Sequence, residues 1–260
     1  MEMRILIGLR ALKDQGYDPR YHHKLQGFIY DLLRGTPYSD LHDRRGYKFF
    51  CFSNIFPPAD MRRGDLRHLL ISSPERPLLG VLEGKLSEIL EGDGRVEVGD
   101  MAFSLESLRV LEPRLRGGCT LVSGTPIVVR IPRENYGRYG IRPPRDYDYV
   151  YWRPRYSFEA FVRQLEDNLF KKYREFRGER LEGFQIFEQF TFKKPVCNHV
   201  VFGGREVKVL GSLWEFPFSH LNKNQREILQ FGLECGFGEL NSLGFGFMNV
   251  VRADLRERRG

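Results

Sequence analysis

Two successive rounds of strand and helix signals, each in the order βαββαβ, predict an α+β protein. The expected architecture is two tandem ferredoxin-like (RRM-like) domains, with antiparallel sheets carrying helices on one face. Three observations carry this reading. The apolar residues alternate in some segments and recur with a period of about 3.6 in others, in that order. The stretch Pro113 to Gly118 separates the two rounds and offers little to bury. The 260 residues fit two small domains, with boundaries expected at 1–114 and 119–260.

The elements follow in chain order. Met3 to Leu9 reads as a first strand. His22 to Arg34 reads as a helix, because Leu25, Phe28, Ile29, Leu32 and Leu33 fall on one face. Lys48 to Phe56 is apolar and aromatic and is expected as a strand, followed by a short one at His68 to Ser72. Leu78 to Leu90 has helical spacing. Arg95 to Val98 and Met101 to Leu111 read as a closing hairpin turning at Gly99-Asp100. In the second round Cys119 to Ile131 holds a strand. Ser157 is the expected N-cap of a helix striped by Phe158, Phe161, Val162, Leu165 and Leu169. Phe184 to Lys193 alternates like a strand. Val196 to Phe202 and Glu206 to Leu213 flank the turn dipeptide Gly203-Gly204. Asn222 and Gln225 stand at capping-box spacing at the head of a last helix reaching Cys235. A glycine run and a final strand, Phe247 to Val251, complete the round.

Charge and cysteine usage narrow the function classes. The formal net charge is +7 and the sequence pI about 9.3. Of 41 basic residues, 31 are arginine, whose planar fork suits bidentate phosphate contact and base stacking. The charge is compatible with a nucleic-acid partner, and equally with a basic surface composition alone. No stretch approaches the roughly 18 apolar residues of a membrane span. The opening MEMRILIGLRALKDQ holds too short an apolar run for a signal peptide. Cys51, Cys119, Cys197 and Cys235 are scattered singly and are expected as reduced thiols of a cytoplasmic protein. No metal or other cofactor is expected: the histidines form no HExxH, and Cys197 and His199 stand as a lone pair.

The run GFGELNSLGFGF places Gly236, Gly238, Gly244 and Gly246 after a helix and before a strand. Dinucleotide and P-loop motifs have the opposite order, strand then glycines then helix, so neither is expected. Such glycines permit positive φ and close approach of a ligand to main-chain N–H groups. On a helical wheel Tyr30 falls on the polar side of the first helix, away from its apolar stripe. The polar stretch from Tyr38 holds His42 and Lys48. A tyrosine, a histidine and a lysine suffice for metal-free RNA cleavage: proton transfer from the 2′-hydroxyl, in-line attack on phosphorus, protonation of the departing 5′-oxygen, and a cation on the crowded phosphate. Taken by spacing alone, any basic loop contains such residues, and a surface tyrosine under a loop is the plainer reading of Tyr30.

The chain resembles the CRISPR-associated endoribonucleases that cut precursor CRISPR RNA within its repeats, in the repeat-associated mysterious protein superfamily. The resemblance is carried by GFGELNSLGFGF, by LQGFIYDLL on the first helix, and by LHDRRGYKFFCFSNIF leading into the second strand. The middle of the chain matches by element order alone. The resemblance implies an active site of Tyr30, His42 and Lys48, with His22 and His23 as competitors for the histidine role. It implies metal-independent cleavage of repeat RNA to guide RNAs, leaving a cyclic phosphate and a 5′-hydroxyl. It also implies that the glycine loop lines the RNA path, so Gly236, Gly238, Asn241, Ser242, Gly244 and Gly246 are expected RNA contacts. Arg44 and Arg45 beside His42 are expected to meet phosphates.

Arg133 to Tyr156 interleaves six arginines, six tyrosines and Trp152, a pattern suited to stacking bases and following phosphates, with Arg138 and Arg142 as its expected contacts. A packed loop over the second sheet explains the segment equally well. A solvated end is the plainer reading of the arginine-rich tail, Arg252 to Arg259. The expected partner is CRISPR repeat RNA, single-stranded or weakly hairpinned, bound by a monomer or homodimer. The alternative is a binding-only subunit of a CRISPR interference complex. A small-molecule enzyme is disfavoured by the lack of a carboxylate constellation or cofactor motif.

Overall fold

The computed structural model describes residues 4–252 apart from 144, 182 and 203. Met3, Gly203 and the tail beyond Arg252 therefore lie outside the described residues. The first half runs β1 (Arg4–Ala11), α1 (Tyr21–Leu32), β2 (Cys51–Phe52), β3 (Leu66–Ser72), α2 (Arg76–Glu91), β4 (Arg95–Val98) and β5 (Met101–Leu111). These strands form an antiparallel sheet in the order β2-β3-β1-β5-β4. The order β5-β1-β3-β2 is the ferredoxin-like arrangement; β4 is added at its edge by the hairpin that the sequence predicts.

The second half runs β6 (Cys119–Ser123), β7 (Arg130–Pro132), β8 (Tyr149–Tyr151), α3 (Phe158–Arg177), β9 (Thr191–Phe202), β10 (Arg205–Phe218), α4 (Lys223–Cys235) and β11 (Met248–Arg252). Its main sheet is ordered β11-β6-β10-β9, the same arrangement, and β7-β8 form a separate two-stranded ribbon. The predicted α+β class with antiparallel sheets is therefore what the chain adopts.

Each sheet buries one face under its two helices. Ile5, Ile7 and Leu9 of β1 alternate inward against Leu25 and Ile29 of α1 and Leu79, Leu82 and Leu86 of α2. Leu121, Trp214 and Phe216 meet Phe161, Leu165 and Leu169 of α3 and Leu229 of α4. Burying one such side chain contributes about 1.5–3 kcal/mol, so each helix is held chiefly by its stripe rather than by propensity. The predicted caps are present: Ser157 accepts from Ala160 N–H, and Asn222 and Gln225 form the reciprocal capping box.

Four expectations are corrected. The strand expected over Lys48–Phe56 shrinks to Cys51–Phe52; Phe49 has φ +44°, which breaks the extended run and turns its ring toward Phe176 and Phe231. Phe184–Lys193 is mostly irregular: Ile186 and Phe187 are fully buried by insertion into the core, so their apolarity reports packing without a ladder. The strand expected in Cys119–Ile131 divides into β6 and β7. The stretch Pro113 to Gly118 does bury something, because Leu115 is 4% exposed and Gln230 of α4 bonds both Leu115 N–H and Pro113 C=O.

Candidate active site

Tyr30 leaves α1 on the side away from its apolar stripe. It is half-buried because the loop after the helix folds back over it. That loop is held from within: Thr36 and Ser39 close tight turns on Leu33, Leu41 is 2% exposed in the core, and Tyr38 O–H donates to Glu75 at 2.8 Å. With Leu41 pointing inward, the next residue, His42, stands outward with its side chain 66% exposed. Its ring meets Tyr30 edge to face, with centroids 5.0 Å apart. Lys48 closes the group: Nζ donates to Tyr30 Oη at 3.2 Å and to the His42 carbonyl. Tyr30, His42 and Lys48 thus share one surface.

The electrostatics divide the roles. His42 Nδ1 lies 3.0 Å from Asp43 Oδ1. With Nδ1–H facing the carboxylate, Nε2 carries the lone pair and is the nitrogen open to a substrate. Burial pushes the Tyr30 phenol up to about 12; hydrogen bonds to the Ser242 and Gln26 side chains pull the other way, and the Asp43 charge raises it further. Lys48 itself is lowered from the usual lysine value by its own desolvation, partly offset by Asp43. Tyr30 is thus protonated at neutral pH, with its O–H beside the Lys48 ammonium.

The competing histidines are placed elsewhere. His22 is fully buried between Tyr21 and Phe245, its Nδ1 2.8 Å from Leu243 O, and burial lowers its pKa to about 4. His23 is half-buried with Nδ1 shielded from solvent. His22 ties the start of α1 to the loop near Leu243, a structural role expected for a histidine at a helix start.

The glycine loop arrives from the second half. Its four glycines have φ between +67° and +87°, the backbone freedom that the sequence predicts. Their faces, however, are filled by protein. A Cβ on Gly246 would lie 1.9 Å from Phe237 O, and one on Gly238 2.4 Å from Val128 O. The N–H groups of Gly236, Gly244 and Gly246 bond Gly232, Asn241 and Pro126 carbonyls. At Gly236, Gly238, Gly244 and Gly246 this close approach lets the loop pack upon itself and against Phe52. Asn241 is also occupied, bonding Lys172, Phe237 O and Phe245 O. What the loop presents to Tyr30 is Ser242, whose carbonyl accepts from Gln26 Nε2 at 2.8 Å.

Sequence reasoning missed Gln26 and Lys172. Lys172 is 1% exposed, and its ammonium donates to Gly236 O at 2.6 Å, Gly238 O at 3.1 Å and Asn241 Oδ1 at 2.9 Å. The signal was present: Lys172 continues the Phe161, Leu165, Leu169 stripe, so a lysine falls on an apolar face.

The expected basic contacts scatter. Arg44 and Arg45 are exposed on the His42 loop, Arg44 paired with Asp40 at 3.0 Å. Arg138 and Arg142 are exposed in the second half, with Arg138 3.8 Å from Glu159. Trp152 belongs to the core, 7% exposed and 4.8 Å from Phe161, while Tyr147 and Tyr149 remain exposed. Among the described residues no group of three His, Cys, Asp or Glu gathers as a metal site, and no helix is long and apolar enough to cross a membrane.

Comparison with known proteins follows the same lines. The family model for the C-terminal part of the CRISPR associated protein Cas6 matches residues 112–250. The CRISPR-associated endoribonuclease Cas6 2 of Methanocaldococcus jannaschii is 33% identical over 96% of this chain and 100% of its own. The Cas6 endoribonuclease of Haloferax mediterranei is 33% identical over 96% of this chain and 94% of its own. A solved Cas6 structure superposes with a TM-score of 0.72 at 22% identity, covering 97% of this chain and all of its own. A structure described as a RAMP protein binding different RNA substrates gives 0.69 at 20% identity, over 96% of this chain and all of its own. Full-length identity of this order, with one arrangement repeated in both halves, places the chain in the Cas6 family of CRISPR-associated proteins.

Proposed function

We propose that the protein is an endoribonuclease that cuts CRISPR repeat RNA within precursor transcripts to release guide RNAs, without a metal ion. One observation carries the chemistry: Lys48 Nζ lies 3.2 Å from Tyr30 Oη beside the exposed His42 ring. His42 Nε2 takes the proton of the ribose 2′-hydroxyl. The freed oxygen attacks the adjacent phosphorus, and the bond from phosphorus to the 5′-oxygen breaks. Tyr30 donates its proton to that leaving oxygen, giving a 2′,3′-cyclic phosphate and a 5′-hydroxyl. Lys48 stabilises the crowded phosphate. Each proton transfer contributes roughly 10²–10⁴-fold. We read residues 1–114 as the part bearing the catalytic side chains and 119–260 as the part delivering the glycine loop.

The experiment is single-turnover cleavage of labelled repeat RNA in excess EDTA, with product ends read on a gel. Cyclic-phosphate and 5′-hydroxyl ends are expected. A strict divalent-ion requirement, or shifted but uncut RNA, overturns the reading. The pH profile adds a second check. Tyr30 stays protonated up to about 12, so the alkaline fall in rate belongs to Lys48 losing charge below its usual value of 10.5. Lys48→Arg moves that fall upward.

A further inference from the structure

Two clefts share one wall. The first, about 310 Å³, opens beside the candidate active site and is bordered by Lys48, Ser242 and Lys172. The second, about 280 Å³, lies between the β7-β8 ribbon and α3, bordered by Tyr149, Gln164 and Asn168. Tyr47, Arg130 and Glu239 line both. The partition is firmly built. Arg130 N–H donates to Glu239 Oε1 at 3.0 Å, and its guanidinium pairs with the other carboxylate oxygen. The same guanidinium lies over the Tyr149 ring, 4.7 Å from the centroid.

The clefts differ in charge. Lys48, Arg130 and Lys172 face the single carboxylate of Glu239 in the first. In the second, Asp148, Asp167 and Glu239 outnumber Arg130 and Lys171. A phosphate is drawn to the first and repelled by the second. What the second offers is different chemistry: tyrosine rings at Tyr47 and Tyr149, amides at Gln164 and Asn168, and an acceptor-rich rim. Asn168 stands in this cleft's wall, and its Oδ1 is buried with no hydrogen-bond partner. A buried acceptor without a donor is costly, so the site is completed by a ligand that brings an N–H. A planar ring that stacks on tyrosine and donates from an exocyclic amine meets these requirements.

We propose that this second cleft holds one nucleobase bearing an exocyclic amino group, adenine or cytosine, from the RNA strand whose scissile linkage lies at Lys48. The assignment rests on the endoribonuclease reading above. It makes Asn168 and Tyr149 specificity-determining residues for a nucleotide near the cut, while the phosphates of the same strand stay in the cationic cleft next door.

The test is single-turnover cleavage of repeat RNAs in which each nucleotide flanking the cut is replaced in turn by an abasic residue. At a position occupied by adenine or cytosine, the matching analogue without its amino group is used as well. For the unaltered protein, both replacements at one position are expected to slow cleavage by about tenfold or more, the size of one lost base contact. Asn168→Ala is expected to slow the intact RNA comparably and to show no further loss with the amine-free analogue there. Tyr149→Ala, at an exposed ring, gives a second variant that keeps the fold and is expected to mask the abasic effect at the same position. Cleavage that no flanking replacement slows overturns the pocket. So do variants that keep the full further loss at that position. An unaltered protein that leaves every RNA uncut overturns the endoribonuclease reading itself, a distinct result.

Discussion

Two loops converge on Tyr30, and they are built in opposite ways. The loop after α1 is anchored by Leu41 and Tyr38 but leaves His42, Arg44 and Arg45 exposed. The glycine loop turns inward, its glycines buried and its Asn241 amide fully engaged. In sequence the glycine loop is the more conspicuous of the two. In space it packs inward, while the polar loop leaves His42, Arg44 and Arg45 open to solvent. Dense glycine reports a backbone that must pass close to other backbone; the polar loop instead holds its side chains at the surface, as with the His42 ring.

The sharpest way to break this contrast is to remove chemistry without touching structure. His42→Ala and Lys48→Ala are each expected to lower single-turnover cleavage by about 10²–10⁴-fold, with melting temperatures unchanged. A matched loss of stability would show that the polar loop is scaffolding too. The converse follows for the glycine loop. Gly246→Ala forces a Cβ against Phe237 O, and Lys172→Met strands Gly236 O, Gly238 O and Asn241 Oδ1. Each is expected to cost about 3 kcal/mol in urea unfolding. Unfolding midpoints equal to those of the unaltered protein would refute the packing role.

A pH experiment separates the loops further. His22 holds the glycine loop through Leu243 O, and burial lowers its pKa from 6.5 to about 4. The unfolded chain therefore binds this proton first as pH falls. Stability is complete above 6.5, declines down to about 4, and then loses nothing more from this group. The total is on the order of 3 kcal/mol. His22→Asn is expected to flatten that part of the urea-midpoint profile; an unchanged slope places the effect elsewhere. The smallest effect belongs to Arg44→Ala. Its pairing with Asp40 is solvent-exposed, so the urea midpoint is expected to stay where it is. Loss of one phosphate contact is expected to show only as weaker RNA binding with a shallower salt dependence.

Much of this was legible in the chain. The alternation of periods gave both rounds of elements, because each strand and helix has one buried face and the pattern records it. Phe184 to Phe190 misled because an irregular segment inserted into a core alternates much as a strand does. The candidate active site was legible only in its side chains: Tyr30 off the apolar stripe, His42 and Lys48 in a polar stretch. Gln26 escaped notice because an amide on a half-polar helix face carries no signal until the loop residue it bonds, 216 positions away, is known. The wall between the clefts escaped for the same reason, since Arg130 and Glu239 are ordinary charges until the fold joins them.

The junction between the halves has a practical reach. Arg4 bonds Leu233 O, His22 bonds Leu243 O, Gln26 bonds Ser242 O and Cys51 bonds Phe245 O. Each of these ties a residue before the Pro113–Gly118 crossover to a carbonyl long after it. A chain severed at Gly117-Gly118 and expressed as two pieces thus keeps every tie except the peptide itself. Cutting activity would then appear only where both pieces are made together, which turns the molecule into a coincidence reporter.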